Sequence, residues 1–337
     1  MSKARALVVM IALFVAGVAA FGVFVVADLR RAGPPGEPVR VVVPEGASFA
    51  SVVRVLVDRG LVRRAWTLEF FAKATRGDRQ IQRGTYEFTR GEPAIDILGA
   101  MVRGDILAVL VTVPEGFTTW QIAGAMQPAG IDSVAFLSAC RDADLRRALA
   151  VPAESLEGYL FPDTYRVPFG SDARDAVAQM LTRFHAAWTP AMERRANEMG
   201  MARHEVVAMA SIIEAEARVP DERPVVSAVY HNRLQRGMKL DADPTVAYAM
   251  GGFRGRLYFK DLKIDSPYNT YRYAGLPPGP ICSPGESSLH AALYPDPSVA
   301  ALYFVARRDG RHVFSSTLRE HDAAVRAIRR SNGTPGR

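Results

Sequence analysis

The first pattern along the chain is an unbroken apolar run. Ala6 to Ala27 carries no charged residue over 22 positions, close to the roughly 20 that a helix needs to cross a hydrocarbon core. It predicts one membrane-spanning helix over 6–27, after a short start at 1–5. A cleaved secretory leader is the competing reading, because Lys3 and Arg5 resemble a charged leader start. The run exceeds the usual apolar stretch of about 7–15 residues, and Val18-Ala19-Ala20 and Val25-Val26-Ala27 match a small-residue cleavage site poorly. The span is therefore preferred. Its orientation stays open from charge alone, since Lys3, Arg5 and the amino terminus face Arg30 and Arg31 across it.

Beyond the span, residues 28–38 contain the Pro/Gly-rich RRAGPPGEP and predict a linker. Residues 39–106 then alternate in period. Val39 to Val43 is β-branched, Pro44-Glu45-Gly46 makes a turn, and a helix follows, capped near Ser48 and stopped by Gly60. A second helix over Arg64–Ala74 carries Trp66, Phe70 and Phe71. Gly84–Thr89 reads as a strand, and Pro93–Arg103 as a helix ended by Gly104. The turn motif recurs: VVVPEGASF at 41–49 is echoed by VTVPEGFTT at 111–119. One echo does not make a solenoid, but it marks a second domain over 107–330.

That domain reads as mostly helical, over Thr118–Met126, Ser133–Ala139, Ala173–Trp188, Pro190–Met199, His204–Ala217 and Arg223–Gln235, with a further helix begun by Pro244. Long irregular stretches, Leu156–Pro168 and Ser266–Gly285, interrupt it. Loops of that length in a compact domain are functional or disordered, and these are too aromatic for disorder. Leu302–Ala306 and His312–Ser316 predict a hairpin, Leu318–Arg330 a closing helix, and residues 331–337 a frayed tail. The fold class is α+β: an N-terminal span, a small β-α module and a larger helical domain with a short sheet.

Composition changes this picture little. A formal charge of +7 over 337 residues suits anionic lipid or an acidic polymer. It is spread without dense basic tracts, so nucleic acid is not an expected partner. Cys140 and Cys282 are far apart, have no zinc-type spacing, and are either bridged or free.

Common catalytic signatures are missing. His204-Glu205 lacks the second histidine of a zinc protease, ICSPG at 281–285 lacks the first glycine of a nucleophile elbow, and no P-loop follows a strand. The carboxylates remain. In ASIIEAEA (210–217), Glu214 and Glu216 end a helix whose apolar positions cover most of its circumference. Two residues apart means about 200° of rotation, so each acid needs its own explanation.

On residue type alone, a partly buried ion pair with Arg218 or Arg223 is the better account. The functional alternative is a glutamate kept protonated by its pocket, acting as a general acid on a glycosidic oxygen. A two-carboxylate glycosidase needs a second acid; Asp241 and Asp243 of KLDADPTVAY are available, although DADP also reads as a helix N-cap. Tyr159, Phe161, Tyr165, Tyr268, Asn269, Tyr271 and Tyr273 in the two loops suit amphipathic sugar rings. The plainer account is that they anchor the loops.

Taken together, LEGYLFPDTY, ASIIEAEA, ERPVVSAVYHNRLQRGMKLDADPTVAYAMG, YNTY, GLPPGPICSPG and the closing LYFVA and HVFS resemble the YceG-like endolytic murein transglycosylases. The resemblance spans nearly the whole chain and implies that 39–106 is a LysM-like module. It further implies that Glu216 is the catalytic acid and then base, supported by Glu214, Tyr159 and Arg233. Asp243, Thr245, Tyr268, Asn269, Thr270 and Tyr271 would line or shape the cleft. The substrate would be peptidoglycan, cut between N-acetylmuramic acid and N-acetylglucosamine with closure of a 1,6-anhydro ring, and no metal or organic cofactor is implied. The body would face nascent strands outside the cytoplasmic (inner) membrane, near peptidoglycan synthases. A catalytically inactive, membrane-tethered glycan-binding scaffold is the alternative.

Overall fold

The computed structural model describes residues 3–252 and 257–333. The chain divides into two compact units, one of residues 1–109 with 166–171 and the other of residues 110–165 with 172–337.

The first unit opens with α1 (Lys3–Leu29), whose stretch Leu7–Leu29 is long and apolar enough to cross a membrane. The helix is unbroken and runs past the expected end at Ala27. Its last turn is not a membrane segment in isolation, because Val25 and Leu29 are buried in the core of the unit. The following residues are also tied down: the Gly33 and Gly36 amides donate to the Gly91 and Arg90 carbonyls at 2.9 Å. The expected linker is therefore partly hydrogen-bonded structure. A Pro/Gly-rich segment has few internal partners, so its backbone groups find them on a neighbouring turn.

Next come β1 (Pro38–Val43), α2 (Phe49–Asp58), α3 (Ala65–Thr75), β2 (Gly84–Thr89) and α4 (Ala94–Arg103). β1 and β2 pair antiparallel from Pro38↔Thr89 to Val43↔Gly84. The Ser48 hydroxyl caps α2 by accepting from the Ser51 amide, and Gly104 closes α4 at φ +72°, a conformation that favours glycine. Val53, Leu68, Tyr86, Ile97 and Met101 make the centre of this core. A cavity of about 660 Å³ lies beside it, lined by Asp28, Arg63, Arg64 and Arg90 among others. Of its two acids, Asp28 is already paired with Arg63 and Arg64 and accepts from Thr67, and Glu92 accepts from the Thr89 amide at 2.8 Å.

The chain then forms β3 (Ala108–Val113), α5 (Thr119–Met126), α6 (Ser133–Ala139), α7 (Ala143–Ala148), β4 (Asp163–Pro168), α8 (Ala173–Ala187), α9 (Pro190–Glu198), α10 (Arg203–Glu216), α11 (Arg223–Gln235), α12 (Asp243–Ala249), α13 (Glu286–Leu293), β5 (Tyr303–Ala306), β6 (His312–Ser315) and α14 (Leu318–Gly333). β5 and β6 form the expected antiparallel hairpin, and β3 pairs with β4. Three differences from expectation stand out. The stretch Leu156–Pro168 ends in a strand, α7 and α13 appear where no helix was read, and α14 extends through Gly333. The remainder of the expected frayed tail, residues 334–337, lies outside the described residues.

The centre of the second unit is α10. Every residue from Val206 to Ile213 is buried, and the helix packs on α9, α11, α12 and α13. This is the all-round burial that its periodicity predicts. Cys140 and Cys282 are both buried and free.

Leu68 is fully buried in the first unit. Leu68→Ala is expected to destabilise that unit by about 2–5 kcal/mol. Chemical denaturation of the detergent-solubilised chain, followed by fluorescence of Trp66 on the same helix, would show it as an earlier first transition.

Candidate functional site

Glu216 is the last residue of α10. The helix projects it beyond the buried run, where it is mostly enclosed by protein but keeps part of its surface open. Its one protein hydrogen bond comes from the Tyr230 hydroxyl at 3.3 Å, and it forms no ion pair among the described residues. Burial, with the nearby Asp243 carboxylate acting in the same direction, pushes its pKa up to about 7 against smaller downward effects from Tyr230 and Arg218. The carboxyl is thus poised to exchange a proton near neutral pH.

Glu214, one turn-face away, is in a different situation. It pairs with Arg223 at 3.2 Å and accepts from the Gly285 amide at 3.0 Å, with only 7% of its side chain exposed. The Arg223 guanidinium also donates to Ser288 at 3.0 Å and lies 3.8 Å from Glu115. The ion pair expected on residue type is present for this acid, and its partner is Arg223.

Asp243 opens α12 at its first helical position, with Pro244 next. The expected side-chain N-cap is not formed. The cap residue is Ala242, and the Asp243 carboxylate turns away to accept from the Tyr271 hydroxyl at 2.7 Å. Asp241 adopts φ +48°, a left-handed conformation that Asp tolerates better than most residues, and pairs with Arg233 at 3.1 Å.

Thr245, Asn269 and Thr270, expected to line or shape the cleft, are all buried. Thr245 donates to the Ala242 carbonyl at 2.7 Å and its hydroxyl meets that of Thr270 at 2.9 Å. Thr270 in turn accepts from the Ala242 amide at 3.0 Å. Asn269 donates to the Leu262 and Ile264 carbonyls at 2.9 Å and accepts from the Tyr271 amide at 3.0 Å. Their polar atoms are consumed in joining the YNTY loop to the start of α12, which holds Asp243 and Tyr271 in place. Of this set, Asp243, Tyr268 and Tyr271 reach accessible surface.

The expected supporting residues occupy structural positions. The Tyr159 hydroxyl meets His204 Nδ1 at 2.9 Å. Arg233 donates to the carbonyls of Leu302, Lys239 and Leu240 at 2.6, 3.0 and 2.9 Å. Tyr165 donates to the Phe161 carbonyl, and Arg183 stacks over Phe161, so both rings anchor their loop, while Tyr273 is exposed and donates to Asp265.

The long loop 266–285 is fastened to α10 by its backbone. The Ile281 amide donates to Ser211 Oγ at 3.0 Å, and Gly285 to Glu214. Gly158 has φ +83°, and a Cβ there would lie 2.3 Å from Pro280, so only glycine permits this approach of the two loops. Sequence reading did not single out Tyr230 or Glu157. Glu157 is buried, accepts from the Thr119 amide and hydroxyl at 3.1 and 3.0 Å, and burial pushes it up to about 7. The available signal was a lone acid inside the apolar LEGYLF.

Over residues 41–327 the chain matches the model of the YceG-like family. It belongs to that family. The endolytic murein transglycosylase of Bacillus subtilis (strain 168) is 33% identical over 309 residues, covering 85% of this chain and 83% of that protein. The endolytic murein transglycosylase of Streptococcus pneumoniae serotype 2 (strain D39 / NCTC 7466) is 28% identical over 321 residues, and the chain spans 58% of its length. The crystal structure of a YceG-like protein from Listeria monocytogenes superposes with a TM-score of 0.59 at 33% identity, covering 86% of this chain and 99% of that one.

A carboxyl raised from about 4.5 to about 7 contributes stability that is present below the lower value and lost as pH rises through the upper one. Glu216→Gln is therefore expected to melt higher than the parent at pH 8, with the gap shrinking towards pH 4.5. Melting curves of both proteins across that window measure it, and equal midpoints throughout would count against the burial of this group.

Proposed function

We propose that this YceG-like chain is an endolytic murein transglycosylase, a lyase that cuts peptidoglycan strands internally, with Glu216 as its acid and base. The observation that carries the reading is the partly exposed Glu216 carboxyl, without an ion pair among the described residues and raised to about 7. The Bacillus relative of that name, matched over most of its length, supports the same assignment.

In the first half of the reaction the protonated Glu216 donates to the oxygen joining muramic acid C1 to the next glucosamine, and that C1–O bond breaks. In the second half the muramic C6 hydroxyl attacks C1 and surrenders its proton to the Glu216 carboxylate. The 1,6-anhydro ring closes, no water is consumed, and the enzyme ends as it began. Because the substrate supplies the nucleophile, one carboxyl suffices. Asp243, engaged by Tyr271, acts through its charge by keeping Glu216 protonated, while Glu214 locks the helix end to Arg223 and Gly285. Thr245, Asn269 and Thr270 shape the cleft from behind.

On this reading α1 anchors the enzyme in the cytoplasmic membrane with its body outside, facing new strands beside the synthases that make them. The first unit, with its strand, helix, helix, strand, helix order, serves as a LysM-like glycan contact. Cleavage inside nascent strands then terminates their growth.

Incubating the full chain with purified peptidoglycan should release fragments ending in 1,6-anhydromuramic acid, read by mass spectrometry. Glu216→Gln should cut the rate by about 10²–10⁴-fold, the usual worth of a general acid–base group. Products that all carry added water would replace the lyase by a hydrolase, and sacculus binding without any release would leave only a scaffold.

The pH profile gives a second test. kcat/KM should fall as pH rises past about 7, when Glu216 loses its proton. Removing the neighbouring negative charge with Asp243→Asn lowers the Glu216 pKa, so the falling limb should move to lower pH. A limb that stays in place would remove Asp243 from this role, whatever happens to the maximal rate.

A further inference from the structure

A cavity of about 360 Å³ lies next to the end of α10. It is lined by Ala215, the residue before Glu216, and by Trp120, Gln121, Pro244, Tyr248 and Gly252 among others. The volume falls within the roughly 300–1,000 Å³ common for small-molecule sites. Its chemistry is uneven in an informative way, since one wall is a built aromatic stack. Trp120 stacks on Tyr248 with centroids 5.2 Å apart, and Tyr248 packs on Tyr268 at 4.8 Å.

The stack is held from behind and from the side. The Tyr248 hydroxyl donates to the buried Glu157 at 3.4 Å, and the same carboxyl accepts from the first turn of α5, which carries Trp120. One buried acid thereby ties both rings to a common point. At the edge, Gly252 has φ +81°, and a Cβ there would stand 3.0 Å from Trp120 Nε1. A side chain at this position would therefore crowd the indole. Trp120 nevertheless keeps 37% of its surface exposed, an unusual expense for a ring so carefully positioned.

Polar groups stand beside the flat face. Gln121 turns Oε1 to the Thr118 amide and hydroxyl at 2.9 and 3.0 Å, while its Nε2 meets no protein acceptor among the described residues. A flat apolar face with an amide donor at its side suits a pyranose ring bearing equatorial hydroxyls or an N-acetyl group.

We propose that Trp120, backed by Tyr248, is the platform of an N-acetylhexosamine-binding subsite adjoining Glu216, and that Glu157 is its positioning residue. This rests on the transglycosylase reading and specifies where one ring of the strand is held. Loss of the platform removes binding contacts made alike before and during reaction, so it raises KM with little effect on kcat.

The test uses the full chain in detergent micelles with Glu216→Gln, so that turnover is strongly slowed. Soluble uncrosslinked glycan strands are titrated into it by calorimetry, beside the same protein carrying Trp120→Ala or Trp120→Leu. Either second substitution should weaken binding roughly tenfold or more. Radical footprinting of the Glu216→Gln chain, which alters nothing at position 120, should show Trp120 protected by glycan; this decides the matter if the Trp120 variants do not fold. Unchanged affinity in folded variants, or unprotected Trp120 at saturating glycan, overturns the platform and leaves the lyase standing. A Glu216→Gln chain that binds no glycan overturns both.

Discussion

The site depends on one constraint: a carboxyl is enclosed at the end of an apolar helix with no ion pair among the described residues. Burial of a charge is unfavourable unless it is paired, and the neighbouring Glu214 obeys that rule through Arg223 and the Gly285 amide. Among the described residues Glu216 has only a phenol as its hydrogen-bond partner. A second carboxylate nearby disfavours its charged form still more. The two acids of one short motif thus meet different surroundings, one held by a guanidinium and a backbone amide and the other shifted upward by burial.

Holding such an arrangement requires the rest of the unit to be rigid. α10 is buried along eight consecutive residues, so its end cannot move without disturbing four packed helices. The loop 266–285 has no regular element, yet it is bound to α10 through Ser211 and Glu214 and to α12 through Thr245 and Thr270. Three buried polar side chains that seem suited to touching substrate instead satisfy one another and the backbone. That use is what lets the irregular loop present Tyr271 to Asp243 at a fixed distance, since an unsatisfied polar group in its place would destabilise the fold.

What could be read from sequence follows the range of the interactions involved. Helices with local signals were legible: α2 with its Ser48 cap, α10 with continuous apolar periodicity, and α11 at both ends. The hairpin of β5 and β6 was legible because its turn is local. β4 was not, since it lies in a Pro- and aromatic-rich stretch and exists only by pairing with β3, far away in the chain. α7 and α13, at six and eight residues, are too short for periodicity to declare. At the site, the different environments of Glu214 and Glu216 followed from two-residue spacing. Tyr230, Glu157 and the Trp120 stack did not, because each acquires its surroundings only when α5, α10, α11 and α12 come together.

The position of the acids on α10 adds a reason for their difference. Both stand in its last turn, where unpaired carbonyls give the helix end a partial negative charge that opposes a carboxylate. Glu214 has the Arg223 guanidinium and the Gly285 amide as partners there. Glu216 is the final residue and has only the exposed Arg218 as a more distant positive charge, so the helix itself works against its ionisation. The same acid placed at a helix N-terminus would gain stabilisation as an anion and lose its readiness to donate. Ending α10 at this residue, with Ala217 leaving the helix at ψ 99°, therefore acts in the same direction as burial on the Glu216 carboxyl.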